Sequence, residues 1–271
     1  MTILDDLERY YDSAPRAGGA RAEDFGPLTL FVRQGNGWPY YARPTLGVSS
    51  RDVQAADVRR VLERQRELGV PEAFEWVAET SPSLRAAVEA AGLHVHAYPL
   101  MVLDPEAEPA APHPEVRLVG AADPLLLSAV AVPALAFAAP GTALGEAGPA
   151  ELAAKAAEPE TESRRAHVSA MLDSGRTAMA AAVRDGVVLC AGQYIPVGDV
   201  AEVVGVGTLP AARRQGLALG VTAALVAEAR ARGARTVFLS AGDEDVARIY
   251  GRAGFRRVAT ALIAEPAEPA A

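Results

Sequence analysis

The stretch VVGVGTLPAARRQGLALGVTAALVAEARARGARTVFLSAGDEDVARIYGRAGFRRV, residues 203–258, decides the fold. It reads as an apolar strand, a loop carrying Arg213, Arg214 and Gly216, an Ala/Leu/Val helix, a second strand at 236–240, and a short helix ending in Tyr250 ahead of Gly254-Phe255. Where a strand runs straight into a helix, several backbone N–H groups lack intrahelical partners and point the same way, and the helix dipole adds partial positive charge. Gly216 lets the backbone approach an anion without a Cβ in the way, Ala218 keeps the next position small, and Arg213 and Arg214 add formal charge. This order of elements reads as a site for a phosphorylated cofactor, the bland alternative being an ordinary turn with surface arginines. Leu217, Val221 and Leu225 follow helical spacing, Gly233 is placed to stop that helix, and Asp243 can cap the next.

Arg213-x-x-Gly216-x-Ala218 resembles the R/Q-x-x-G-x-G/A motif of the GCN5-related N-acetyltransferase (GNAT) family, with Pro210 three residues before the Arg as in that family. Ile249-Tyr250 followed by Ala253-Gly254-Phe255 resembles the family's closing motif. The resemblance implies an α/β (α+β) GNAT fold, a mixed and mostly antiparallel sheet flanked by helices, with acetyl-CoA as co-substrate. It implies that the strand ending Val206-Gly207-Thr208 splays from its neighbour and offers backbone groups to the pantetheine arm. Arg213 opens the motif, and Arg214, Gln215, Gly216, Leu217, Ala218 and Leu219 wrap the pyrophosphate. Asp243 stands where many relatives carry Asn, as a further cofactor contact.

The resemblance also places Tyr250 near the thioester sulfur, as the acid that protonates the departing thiolate. A phenol suits that role because it stays protonated at neutral pH and can hydrogen-bond sulfur as charge develops; the alternative is a ring that only packs. A general base is expected at Glu202, which period-two alternation puts on one face with Val204 and Val206. Many relatives use a Glu on this strand, and the alternative is a solvated carboxylate at the sheet edge. The activity implied is transfer of acetyl from acetyl-CoA to a primary amine by direct attack; the acceptor stays open between a small molecule and a protein amine, and a two-half architecture that encloses a pocket would suit a small molecule better than a protein tail. An acyl-CoA-binding regulatory or scaffold protein without turnover stands beside it.

With 271 residues, half of them hydrophobic, the chain can bury one large core or two smaller ones. It has no uninterrupted apolar run of about 18 residues and an acidic start, MTILDDLERYY, so a cytoplasmic protein without membrane association is expected. A net charge of -8 argues against a nucleic-acid partner. Cys190, the single cysteine, rules out an internal disulfide framework and lies in an apolar run where a buried inert thiol is the default. His94 and His96 alternate on a strand without a third ligand at suitable spacing, so no metal is expected. The sequence leaves the oligomeric state open, a homodimer being the commonest assembly of soluble enzymes.

The proline-rich segment 105–114, PEAEPAAPHP, reads as a linker between an N-terminal domain, 1–104, and a catalytic GNAT domain, 115–265, with a flexible tail at 266–271. The second domain is expected to hold a strand at 116–118, helices at 124–137 and 163–172, and antiparallel strands at 177–183, 187–196 and 202–208. Arg184-Asp185-Gly186 and Gly198-Asp199 are its hairpin turns. Residues 138–160, of weak periodicity, read as a mobile substrate loop. The N-terminal half is expected to hold helices at 3–11, 52–68 and 83–91 and strands near 28–32, 40–42, 74–77 and 95–103, with a turn at Gly35-Asn36-Gly37-Trp38-Pro39. A gapless shift of 162 lays Phe74-Glu75-Trp76-Val77 on Thr236-Val237-Phe238-Leu239 and Ala91-Gly92-Leu93 on Ala253-Gly254-Phe255. Val88 falls on Tyr250, and no anion loop precedes Phe74, so this half reads as a degenerate GNAT-like domain that binds no acetyl-CoA, making the chain a pseudo-tandem.

Overall fold

The computed structural model describes residues 2–35, 39–48, 53–108 and 113–267. The expected turn at 35–39 and linker at 105–114 therefore fall partly, at 36–38 and 109–112, outside the described residues, as does most of the expected tail. The first half runs α1 (Ile3–Ala17), β1 (Arg21–Asp24), β2 (Leu28–Val32), β3 (Ala42–Pro44), α2 (Ala55–Glu67), β4 (Phe74–Val77), α3 (Leu84–Ala90) and β5 (Leu93–Leu103). The second runs β6 (Val116–Val119), α4 (Leu126–Ala138), α5 (Pro149–Ala156), α6 (Pro159–Asp173), β7 (Ala178–Arg184), β8 (Val187–Val197) and β9 (Val200–Thr208). It ends with α7 (Leu217–Ala231), β10 (Thr236–Ser240), α8 (Glu244–Gly251) and β11 (Phe255–Pro266). Two compact units result, Met1–Leu100 with Val258–Ala271, and Met101–Arg257.

In the unit holding the N-terminus, the sheet order is β1-β2-β3-β4-β11, antiparallel throughout except for β3 beside β4. Its β11 contribution is residues 261–264, paired with β4. One face is wholly apolar: Leu30, Ala42, Phe74, Trp76 and Leu262 pack with Val58, Val61 and Leu62 of α2 and Leu84 and Val88 of α3. The neighbouring strand positions carry polar groups. Arg43, only 1% exposed, ion-pairs with Glu8 of α1 and lies over the Tyr11 ring at 5.3 Å, while Thr80 Oγ1 donates to Glu8 at 2.5 Å. The register Ala42↔Phe74 sets Glu75 beside Arg43.

In the unit Met101–Arg257 the sheet order is β10-β9-β8-β7-β6, with β10 parallel to β9 and the others antiparallel. Both expected hairpins are present, and their turn residues explain them. Asp185 and Gly186 both have positive φ, 51° and 79°, as a type I′ turn requires; at the second turn only Gly198 does, at 60°, as in type II′. Helices flank this sheet, α4 packing on β8 and β9 and α7 across β6 to β9. The core joins Val130 and Val132 of α4, alanines 180–182, Cys190, Tyr194 and Val203 of the strands, and Leu217, Val221 and Leu225 of α7.

The chain is a pseudo-tandem of one fold, and the shift of 162 reaches further than the sequence motifs indicated. It lays β4, α3 and the start of β5 on β10, α8 and the start of β11, and it lays Ala55, the first residue of α2, on Leu217, the first of α7. Gly92 and Gly254, each just before a strand, share a left-handed φ of 98° and 87°.

Three elements depart from expectation. Helix α1 does not stop at residue 11 but continues through Pro15 to Ala17, where Arg16 pairs with Asp12 at 3.0 Å one turn back. Strand β1, Arg-Ala-Glu-Asp, has no apolar signature and exists because its backbone pairs with β2. Residues 138–160 are not simply a loop, since α5 forms there and α6 begins at Pro159. Pro149 occupies the first helical position, where its missing N–H costs nothing, and Glu151 accepts the Gly148 N–H at 2.7 Å.

Glu75 yields a pH-dependent prediction. Burial raises its carboxyl pKa to about 7, against the opposing pull of Arg43 and a hydrogen bond with Tyr41. The folded state therefore holds this proton more tightly than the unfolded chain, so the contribution is fully present below the unfolded carboxyl pKa and is lost as pH rises through 7. Because Glu75 keeps some surface exposure, the effect is on the order of 1 kcal/mol. Urea melts between pH 4.5 and 8 are expected to show wild type losing this increment relative to Glu75→Gln as pH rises; parallel profiles would contradict the assignment.

Candidate functional site

The site begins where two parallel strands part. β9 pairs with β10 only at 200–202, opposite 236–238, although β9 continues to Thr208. On its other edge β9 carries an extra residue: two steps along β8, from Ala191 to Gln193, match three along β9, from Gly207 to Val204. Gly205, with φ of 63°, lies within this bulge, a device that bends a strand and leaves one residue unpaired. The bulge corrects one expectation. Glu202 and Val204 share a face with Gly207, whereas Val206 moves to the face of Val203 and Tyr194, because the extra residue breaks the period of two. Glycine is required at 207 for another reason: a Cβ there would lie 2.8 Å from Ala136 Cβ and 3.0 Å from Pro133 Cα of α4.

Beyond β9, the short 3₁₀ turn Pro210–Ala212 leads into α7. Arg214 and Gly216 both have left-handed φ, 63° and 75°, so the backbone turns its amides toward the helix mouth. A non-glycine residue held there is strained, a condition that gathers at ligand clamps. Gly216 is the N-cap of α7 and offers no side chain to its first turn, so the N–H groups of that turn remain directed at the loop. Arg214, Gln215 and Gly216 are exposed, and Leu217 is buried. The guanidinium of Arg213 turns elsewhere: it donates to the carbonyls of Ala136 at 2.9 Å, Ala139 at 2.5 Å and Ala143 at 3.0 Å.

Tyr250, 8% exposed, projects from α8 with its ring edge-on to Phe255, centroids 6.0 Å apart. Burial, then the neighbouring Cys190, pushes its phenol pKa well above the ordinary value, with the Thr222 hydroxyl opposing. Cys190, fully buried, has its thiol pushed up to about 12 by burial, and its sulfur receives the Thr208 hydroxyl at 3.2 Å. Asp243 caps α8, its carboxylate accepting the Val246 N–H at 2.7 Å.

These residues line one cleft of about 740 Å³, which takes in Glu202, Val206, Gly207, Thr208, the whole run 213–219, Asp243 and Tyr250. The sequence reading missed two further groups on its wall. Ala136 and Phe137 come from the last turn of α4, and Arg248 and the capping Arg252 lie four residues apart at the end of α8; Pro140, Gly141 and Thr142, also on the wall, belong to the 138–160 segment expected as a substrate loop. The i, i+4 spacing of the two arginines was visible in sequence; nothing local distinguished the α4 residues.

The N-terminal half differs at the corresponding point. The shift of 162 places Gln54 on Gly216, and Gln54 has an extended backbone, with φ of -106°. The Asp57 carboxylate accepts the Gln54 N–H at 2.9 Å, so an internal negative charge occupies the mouth of α2. Among the described residues no three His, Cys, Asp or Glu side chains gather as a metal site, and no helix is long and apolar enough to cross a membrane.

Residues 149–255 match the model of the Acetyltransferase (GNAT) family. No curated protein matches the chain. Among solved structures it is similar to a GCN5-related N-acetyltransferase from Kribbella flavida, at 23% identity and a TM-score of 0.67 over 99% of this chain and 97% of that one. A putative GNAT-family acetyltransferase from Novosphingobium aromaticivorans gives 19% and 0.54 over 94% of each chain. A tandem GNAT protein from the clavulanic acid biosynthesis pathway gives 16% and 0.53 over 90% of this chain and 79% of that one. At such identities these structures attest the fold, over nearly the whole chain. Residues 149–255 thus form a domain that matches the acetyltransferase (GNAT) family model.

Proposed function

We propose that the protein is a cytoplasmic N-acetyltransferase that moves the acetyl group of acetyl-CoA to the primary amine of a small molecule, with the Met101–Arg257 unit as its catalytic part. The observation that carries this reading is the meeting of a splayed strand edge, an uncapped helix mouth and a buried phenol in one cleft. The fit to acetyl-CoA rests on those features. The first-turn N–H groups of α7 and the left-handed pair Arg214 and Gly216 suit a pyrophosphate, and the unpaired edge of β9 suits an amide-bearing arm. Arg248 and Arg252 supply charge for a further phosphate.

Acetyl-CoA supplies an activated acyl thioester. In the proposed reaction the backbone at Val206 holds the carbonyl oxygen as it gains charge. Glu202, through a water, takes the proton lost by the attacking amine as the new C–N bond forms. Tyr250 gives its phenolic proton to the sulfur as the C–S bond breaks. Its raised pKa keeps that proton in place throughout the neutral range, and Thr222 and Cys190 border the phenol. Gly207 and Thr208 line the arm, Gln215, Leu217, Ala218 and Leu219 complete the phosphate loop, and Asp243 frames the far wall while capping α8.

The alternative, an acyl-CoA-binding regulatory protein of the same fold, shares every binding feature and lacks the two proton transfers. Tyr250→Phe separates the two. It is expected to lower acetyl transfer about 100-fold or more while the Kd for acetyl-CoA stays within about threefold of wild type. Unchanged turnover would remove Tyr250 from the acid role. Gly216→Glu is expected to abolish acetyl-CoA binding in calorimetry, because the substitution sets a carboxylate against the phosphates at a left-handed position where only Gly is unstrained. Retained micromolar affinity would refute the loop assignment.

A further inference from the structure

The arginine that opens the loop motif faces away from the loop. Three carbonyls at and beyond the C-terminus of α4 converge on Arg213, those of Ala136, Ala139 and Ala143, at 2.9, 2.5 and 3.0 Å. The last carbonyls of a helix have no intrahelical partners, and a guanidinium there answers both their lone pairs and the negative end of the dipole. Two backbone bonds run alongside: Gly145 N–H donates to Pro210 O at 3.1 Å, and Ala211 N–H to Ala147 O at 3.0 Å. The contact is close enough that a Cβ on Gly145 would lie 2.9 Å from Pro210 Cβ.

The segment so held is a cleft wall. Ala136, Phe137, Pro140, Gly141 and Thr142 line the cleft and carry no charge, and Phe137 is 61% exposed. The remaining walls, β9, the 213–219 loop and α8, are those the proposed function assigns to acetyl-CoA, so this one faces whatever else the cleft admits. It is anchored to the turn that leads into the phosphate loop, one residue before the strained Arg214.

We infer that Arg213 is a positioning residue that latches the 136–147 wall onto the strand-to-helix turn and is not a ligand of the cofactor phosphates. Ligand seated at 214–219 then stiffens the turn and, through Arg213, the wall. The inference rests on the proposed function only for the identity of that ligand.

The test uses the full chain as wild type, Arg213→Lys and Arg213→Met, with coenzyme A as probe. Hydrogen exchange of peptides covering 136–147 is read with and without coenzyme A, and the β7 and β8 peptides report that each variant is folded. Lysine keeps the charge but has one nitrogen where Arg213 uses two, Nη1 for Ala143 and Nη2 for Ala136 and Ala139, so both Arg213 variants are expected to raise exchange in 136–147 by about tenfold or more without ligand. Coenzyme A at saturating concentration is expected to protect that segment in wild type and not in the Arg213 variants. Calorimetric Kd for coenzyme A in Arg213→Met is expected within about threefold of wild type. Unchanged exchange in 136–147, wild-type protection in Arg213→Lys, or a tenfold or greater loss of coenzyme A affinity in Arg213→Met would each overturn the inference. Failure of the wild type to bind coenzyme A would instead contradict the proposed function, and exchange in the free protein would still decide the latch.

Discussion

The site depends on the partial pairing of β9. The strand bonds to β10 for three residues, then bends at a bulge centred on Gly205, so its remaining edge faces the cleft with no strand beside it. A buried strand edge is ordinarily a liability, because its N–H and C=O groups are left without partners. Here the open edge lies between the mouth of α7 and the phenol of Tyr250, so unpaired backbone, a helix dipole and a buried acid meet in one cavity. Glycine at 192, 205 and 207 makes this arrangement possible: a Cβ at 192 would meet Val206, one at 207 would meet α4, and 205 needs its left-handed φ.

The two halves show the same fold with and without that arrangement. At the start of α7, Gly216 is left-handed and its helix mouth is free of any side-chain cap; at the matching start of α2, Gln54 is extended and Asp57 closes the mouth with a carboxylate. At the second, the Asp57 carboxylate, paired with Arg60 at 2.7 Å, already stands where a phosphate would accept the N-cap N–H. Where α8 carries Tyr250, α3 carries Val88, packed wholly into its apolar core. The first half instead keeps a polar layer of Glu8, Arg43 and Thr80 against α1, in which Glu75 titrates. In that half the fold stands on its own apolar core without those features of the anion site.

Much of this was legible in sequence because it is local. Turn chemistry at Asp185-Gly186 and Gly198-Asp199 placed the hairpins, the spacing of Leu217, Val221 and Leu225 marked α7, and the run from Arg213 to Leu219 marked the loop. What escaped notice was set by distant partners. β1 is a strand only because β2 lies beside it, and the face of Val206 depends on a bulge that period-two counting cannot see. Arg213 read as a charge for phosphate, yet its partners are carbonyls seventy to seventy-seven residues away. The start of α5 was a local signal overlooked, Gly-Pro-Ala-Glu being a helix opening within an alanine-rich stretch.

The most direct test of the account is the number of coenzyme A molecules bound by one full-length chain, measured by calorimetric titration. One molecule per chain is the predicted result, since of the two matching helix mouths that of α7 has no side-chain cap and that of α2 is taken by Asp57. No binding would contradict the proposed site, and two per chain would contradict the closure of the α2 mouth by Asp57.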